Sequence, residues 1–334
     1  MSRLRSWRAG LGLAVTALAL WFAFRDVSWT ALGHDLARAN WWILLGFSVP
    51  AYVWTVQLRA LRWRVLARDV ADVPTGAAFR AISVGFLVNN VLPLRIGEFV
   101  RVWWLARDVR SSVAELLGTW VLERLFDLAV LLGIAALVIG NLAGRGLLGG
   151  IAFALLAVTL AFRLWPAPLL RLVYRAARLV LPPARAEHVT GLAGSVARGL
   201  ASLRSGRDFA RALFHSALLW GVASAIPFWA ALAALGIDVG GPVASLRTAL
   251  QILVNVAIAV ALPSAPGFFG VYHAACRYTL TPLGVSTERA LALGTLAHAV
   301  FWLVTSGIGL FCLRGRRNQL GEAVSSAATG DAPV

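Results

Sequence analysis

The sequence predicts an all-α polytopic integral membrane protein with about six full spans and two opposed re-entrant helical hairpins, an inverted-repeat-like arrangement. Three observations predict it. The 334 residues are 59% hydrophobic and 14% charged, with a mean hydropathy of +0.76, whereas a soluble domain carries roughly 25% charged residues. Every basic residue is Arg, and the arginines gather between apolar segments, where cytoplasmic loops and anionic headgroups favour them. Two stretches, LVNNVLPLRIGEFVR (87–101) and VALPSAPGFFGVYH (260–273), interrupt the apolar pattern with one outline: Leu-Pro, three residues, then Gly.

Taken in order, residues 11–24 form a first apolar helix after a basic start. Its outline matches a signal peptide, but Trp21 and Phe22 are too large for the cleavage region, so an uncleaved helix with its N-terminus inside is expected. Residues 25–40 then read as an external loop. Residues 41–58 span inward, and Arg59, Arg62, Arg64 and Arg68 read as a cytoplasmic loop. Residues 79–91 are too short for the roughly 20 residues a bilayer needs. With basic residues on both sides, about 79–107 reads as a hairpin entering and leaving on the cytoplasmic side, its tip near Pro93 and Gly97.

Residues 115–140 form the clearest helix, with Glu123, Arg124 and Asp127 near its middle. Glu123 and Asp127 share a face at i, i+4 spacing. Charges at that depth cost roughly 2.5–3.5 kcal/mol each, so they should face the protein interior in pairs. Residues 147–162 return to the inside. Residues 163–211 form a basic cytoplasmic loop, in which 169–181 reads equally as an amphipathic helix on the inner leaflet or a solvated connector. Residues 213–235 span outward. About 243–283 forms the second hairpin around Pro263, Pro266 and Gly267, and 291–313 is a full span ending in Arg314, Arg316 and Arg317. One transmembrane domain is expected over 1–317, both termini cytoplasmic, with a flexible tail over 318–334.

The formal net charge of +16 is accounted for by a membrane topology, so no nucleic acid is expected. Cys276 and Cys312 have no metal-ligand spacing and read as small buried thiols. His215, His273 and His298 are dispersed, so packed histidines are favoured over a metal site, and no cofactor is expected. Trp103, Trp104 and Trp220 read as interface anchors. Asn89 and Asn90 suit either headgroup contact or the backbone groups freed by the break. No nucleophile motif, metal set or glycine-rich phosphate loop is present, which disfavours an enzyme and names no catalytic residue.

NNVLPLRIGEFVR, then TWVLERLFDLAV, then ALPSAPGFFGVYHAA together resemble the flippase-like transmembrane domain of the lysylphosphatidylglycerol synthases, over almost the whole chain. The resemblance implies a helical membrane module that moves polar lipids between leaflets. The family's charged motifs fall on Arg95, Gly97, Glu98, Arg101, Glu123, Arg124 and Asp127, and its Pro-Gly turn on Pro266 and Gly267. His273 departs from the family, in which many members carry Glu after that turn. Only a short tail follows Arg317, so the synthase's aminoacyl-transferase domain is not expected.

The expected function is therefore a flippase for a polar or anionic lipid of the inner membrane, phospholipid, glycolipid or hopanoid-type. Arg95 and Arg101 would bind phosphate, with Glu98, Glu123, Arg124, Asp127, Asn89 and Asn90 completing the site. One alternative is a non-transporting assembly factor partnered with a lipid-synthesis enzyme. Another is that Glu98, Arg101, Glu123 and Arg124 form ion pairs that hold the first hairpin against the long helix.

Overall fold

Local signals start most of the helices. In the computed structural model, which describes residues 14–92, 95–138, 142–164, 175, 205–261, 266–314 and 319–324, all regular structure is helical among the described residues. Helix α1, Ala14–Phe24, is short and apolar. Ser28 caps α2, Trp29–Arg38, its Oγ accepting from the Ala31 N–H at 3.4 Å. The segment expected as an external loop is thus partly helical, because the cap starts a turn and Leu32 packs against Leu291 and Ala292.

Helix α3, Trp41–Leu66, starts at an Asn40 cap and runs 26 residues, eight beyond the expected end. This corrects the sequence expectation for Arg59 and Arg62. Both lie inside the helix and are buried, while Arg64 and Arg68 are exposed. The physical reason is that carboxylates of another helix reach them, so the helix can continue without leaving bare charges in its apolar surroundings.

Helices α4, Thr75–Val91, and α5, Ile96–Val109, fold back on each other. The backbones meet at Gly85 and Gly97, where a Cβ on Gly97 would overlap the Gly85 carbonyl and approach Asn89 Oδ1 to 2.6 Å. Arg95 enters α5 in the left-handed conformation at φ 55°. Pro93 and Pro263 lie outside the described residues. The long α6, Val113–Val138, and α7, Leu142–Leu164, follow. The amphipathic segment expected at 169–181 lies, apart from Arg175, outside the described residues.

Ser205 caps α8, Gly206–Leu218, which continues through a π-helical turn, Leu219–Ala223, into α9, Ile226–Ala234. Helix α10, Pro242–Ala261, precedes a tight turn, Pro266–Phe268, in which Gly267 is buried at φ 70°. Helix α11, Val271–Leu280, is then only 10 residues, and α12, Thr287–Cys312, is the last long element. Residues 319–324, at the start of the expected flexible tail, are helical, with Ala323 fully buried and Glu322 paired with Arg107.

Among the described residues, four helical stretches are long and apolar enough to cross a membrane: Trp41–Leu66, Gly206–Ala234, Pro242–Ala261 and Thr287–Cys312. One of them is α10, the first arm of the expected second hairpin. Exposed Trp42, Leu137, Phe153, Val243 and Phe311 present apolar surface outward, as lipid-facing side chains would. Inside, two apolar clusters meet along α3 and α12. One joins the start of α3 to α9, α10, α11 and α12; the other joins the end of α3 to α4, α5 and the start of α6. Trp103 and Trp104, expected at the interface, are buried in the second cluster, because α5 is enclosed by its neighbours.

The hairpin depends on its glycine contact. Gly97→Ala should lower the thermal midpoint in detergent, at a cost of about 1–3 kcal/mol from overpacking. Gly307→Ala, where a Cβ meets nothing within 4 Å, should leave the midpoint within about 0.5 kcal/mol of wild type.

Candidate functional site

Helix α6 carries two carboxylates, Glu123 and Asp127, that are 0% and 4% exposed. An isolated ion at such a position is prohibitively costly, so partners must come from neighbouring helices. Arg62 of α3 reaches both, at 3.0 Å from Glu123 and 2.6 Å from Asp127. Arg59, one turn earlier, stands at 3.5 and 3.8 Å from the same two groups. Arg101 of α5 joins Glu123 at 3.2 Å and Glu98 at 3.0 Å. Arg124 joins Glu123 at 2.7 Å and Asp127 at 3.0 Å.

Neutral donors complete the network. Trp220 Nε1 donates to Asp127 at 2.6 Å and Trp120 Nε1 to Glu98 at 2.9 Å. Trp220 sits in the π turn, which shifts the register of α8 and brings its indole over the α6 face. The Arg59 guanidinium lies 5.1 Å from the Trp220 ring centre and 5.7 Å from Phe86, and Arg101 lies 5.1 Å from Trp63. Arginine tolerates this setting because its weakly hydrated planar cation stacks on aromatic faces.

Beside the network is a cavity of about 190 Å³. Arg59, Arg95, Glu98, Arg101, Arg124 and Asn89 stand in its wall, which is otherwise mostly apolar. The predicted residues therefore divide. Glu123 and Asp127 are buried behind the wall as counter-ions. Asn90 does not line the cavity and donates to Thr305 and Ser306 at 2.9 Å. Asn89 Oδ1 accepts from the Gly97 N–H at 2.8 Å, so it serves the freed backbone of α5 while facing the cavity.

The two breaks touch. Arg95 donates to the Val260 carbonyl near the end of α10, and its guanidinium lies 5.6 Å from the Phe268 ring. A helix C-terminus leaves its last carbonyls without intrahelical partners, so a cation is favourable there. On the other side Gly267 stands close under the Asn90 carbonyl. His298 Nε2 donates to the Gly267 carbonyl at 2.6 Å.

Pro266 opens that turn, and His273 follows on α11, buried, with its ring 5.3 Å from His298. The two histidines read as dispersed in the sequence are thus neighbours, because α11 packs on α12. Among the described residues no group of three or more metal-ligating side chains comes together. Cys276 and Cys312 are free thiols.

Sequence reasoning missed Arg59, Arg62, Trp220, Thr55 and the aromatic wall of Tyr52, Phe228 and Tyr272. A signal for the arginines was present. Arg59 and Arg62 stand at i, i+3 at the end of an apolar run, and α6 offered two carboxylates with one Arg beside them. Removing one counter-ion leaves the others buried and unbalanced, so Asp127→Ala should destabilise the protein by about 3–5 kcal/mol, read as a lower thermal midpoint in detergent. Asp208→Ala, whose partners Arg68 and Arg211 are exposed, should cost under about 1 kcal/mol.

Comparison with known proteins agrees with this architecture. The family model of the lysylphosphatidylglycerol synthase TM region matches residues 10–309. Glycosyltransferase AglD of Haloferax volcanii is 28% identical over 355 residues, covering 96% of this chain and 56% of that protein. The chain thus spans little more than half the length of this curated relative. No solved structure matches. With helices long and apolar enough to cross a bilayer and a family match over nearly its whole length, this multi-pass membrane protein belongs to the lysylphosphatidylglycerol synthase TM region family.

Proposed function

We propose that the protein moves an anionic lipid between the leaflets of the cell inner membrane, binding the headgroup in the cavity between α3, α5 and α10. The observation that carries this reading is the set of four arginines, Arg59, Arg95, Arg101 and Arg124, in the wall of one mostly apolar cavity. Buried structural pairs balance charge at least cost when cations and carboxylates match, and here the cations at the wall exceed the carboxylates behind it. The headgroup would supply the missing negative charge. Its tails would stay among the outward apolar side chains, so only the polar part would cross the protein.

The same reading assigns α4–α5 and α10–α11 as re-entrant hairpins entering from opposite faces, and both termini to the cytoplasm. The contact between their broken ends supports it, because irregular backbone at membrane depth persists where it is enclosed or lines a cavity. Arg95 holds the two ends together through the Val260 carbonyl. A phosphate competing for that guanidinium would loosen the contact, which couples binding to opening.

A second reading takes its support from the glycosyltransferase-named relative. The cavity would then hold a lipid for a headgroup-modifying enzyme of lipid synthesis, with no translocation by this chain.

Reconstituted protein should move a fluorescent anionic phospholipid across vesicle leaflets faster than protein-free vesicles, measured by dithionite quenching. Arg95→Lys keeps a donor for Val260 but loses the planar two-pronged donor, so it should fold normally and lose at least tenfold in rate. Wild-type rates in folded Arg95→Lys and Arg95→Ala would leave the charges as structural pairs. Wild-type copurification with a lipid-synthesis enzyme, without translocation, would favour the second reading.

A further inference from the structure

The charges around the cavity do not cancel. Arg59, Arg62, Arg101 and Arg124 form one ion-pair cluster with Glu98, Glu123 and Asp127, and Arg95 joins it in the cavity wall, five positive charges against three negative. The neighbouring Arg68, Arg211 and Asp208 do not alter this count, since both arginines are exposed and screened by solvent. Ion-pair distances show where the surplus lies. Arg62 and Arg124 each hold two carboxylates at 3.0 Å or less, and Arg101 holds two at 3.0 and 3.2 Å. Arg59 reaches its carboxylates only at 3.5 and 3.8 Å. Among the described residues Arg95 has no carboxylate within 4 Å and rests on a carbonyl and a phenyl ring.

The donors are unfilled as well. The Nε–H groups of Arg59, Arg95, Arg101 and Arg124 are all buried and have no hydrogen-bond partner among the described residues, and neither has the Thr55 hydroxyl oxygen. All five side chains line the same cavity. A buried donor left unmade is costly, more so at a charged group, so four such donors on side chains that line one space point to a ligand with several acceptor oxygens.

Resting on the transport reading of this cavity, we infer that the headgroup is a phosphomonoester carrying close to two negative charges, attached directly to the lipid. A phosphodiester headgroup brings one negative charge and would leave one cation uncompensated. A monoester brings about −1.5 to −2 at neutral pH and three terminal oxygens. Size agrees with this choice, since about 190 Å³ holds a phosphate and the first carbons behind it. Much of the rest of the wall, with Val256, Val260, Phe268 and Phe301, is apolar and suits those carbons. A free phosphate ion would leave that surface uncovered, which favours the lipid over a soluble phosphate.

The test compares lipids of identical acyl chains titrated into protein in neutral detergent, with binding followed by tryptophan fluorescence or native mass spectrometry. Phosphatidic acid, a phosphomonoester, should bind at least tenfold tighter than phosphatidylglycerol, a phosphodiester, and phosphatidylcholine should bind weakest. Arg59→Gln lowers the surplus to one and should erase the preference for phosphatidic acid over phosphatidylglycerol. Glu98→Gln raises it to three and should widen that preference. Thermal midpoints establish that each variant is folded, and the wild-type ranking stands as a test if either variant fails to fold.

Equal affinity of wild type for phosphatidic acid and phosphatidylglycerol, both above phosphatidylcholine and both lost in Arg95→Lys, would overturn the monoester assignment while keeping an anionic-lipid site. No preference over phosphatidylcholine for either lipid would overturn the transport reading too. Displacement of phosphatidic acid by glycerol 3-phosphate or inorganic phosphate at equal concentration would assign the site to a soluble phosphate and overturn the lipid claim.

Discussion

Two carboxylates on one helix face govern this structure. Glu123 and Asp127 of α6 have no solvent to ionise into, and each unpaired charge there would cost several kcal/mol. They are stable only if arginines arrive from elsewhere. Arg62 and Arg59 of α3 and Arg101 of α5 do so, while Ser216 and Trp220 arrive from the end of α8 and the π turn. Three helices and a turn are thereby fixed around α6. The requirement also explains why α3 runs two turns past its apolar stretch, carrying Arg59 and Arg62 inward instead of ending before them.

Satisfying these charges leaves the cluster positive on the side that faces open space. Arg59 and Arg95 are the cations that the network serves least, and both belong to the cavity wall. Aromatic faces at Trp220, Phe86 and Phe268 shelter them without neutralising them. Such a site can accept and release an anion, because cation–π contacts stabilise an arginine by only about 0.5–2 kcal/mol each. A fully paired cluster would have little to offer a headgroup.

The two breaks follow the same backbone logic. A broken helix in apolar surroundings frees N–H and C=O groups that water cannot serve. Asn89 takes the Gly97 N–H, Arg95 the Val260 carbonyl, His298 the Gly267 carbonyl and Trp302 the Asn90 carbonyl. These side chains come from three segments, α4, the start of α5 and α12, so the breaks are stable only in the assembled fold. The Gly85 and Gly97 contact serves the same end by letting α4 and α5 approach until Asn89 reaches across.

By itself the sequence determined the membrane class, the positions of both breaks, the charged centre of α6 and the candidates Arg95, Glu98, Arg101 and Arg124. Composition, Leu-Pro-x3-Gly and i, i+4 spacing are local properties, and physics acts on them locally. It also supplied Asn89, since a break near an amide side chain implies a backbone group to serve. Only the tertiary structure decided who pairs with whom. Arg59 and Arg62 read as loop arginines because the positive-inside rule weighs a residue by its place along the chain, whereas their burial depends on carboxylates more than 60 residues away. Trp103 and Trp104 read as anchors because tryptophan suits an interface and a core equally, and only packing chooses between them. The separation of Glu123 and Asp127 as hidden counter-ions from Arg59 and Arg95 as cavity cations has the same origin. Charge type is written in the chain, but which charges remain unbalanced depends on distances that exist only once the helices are together.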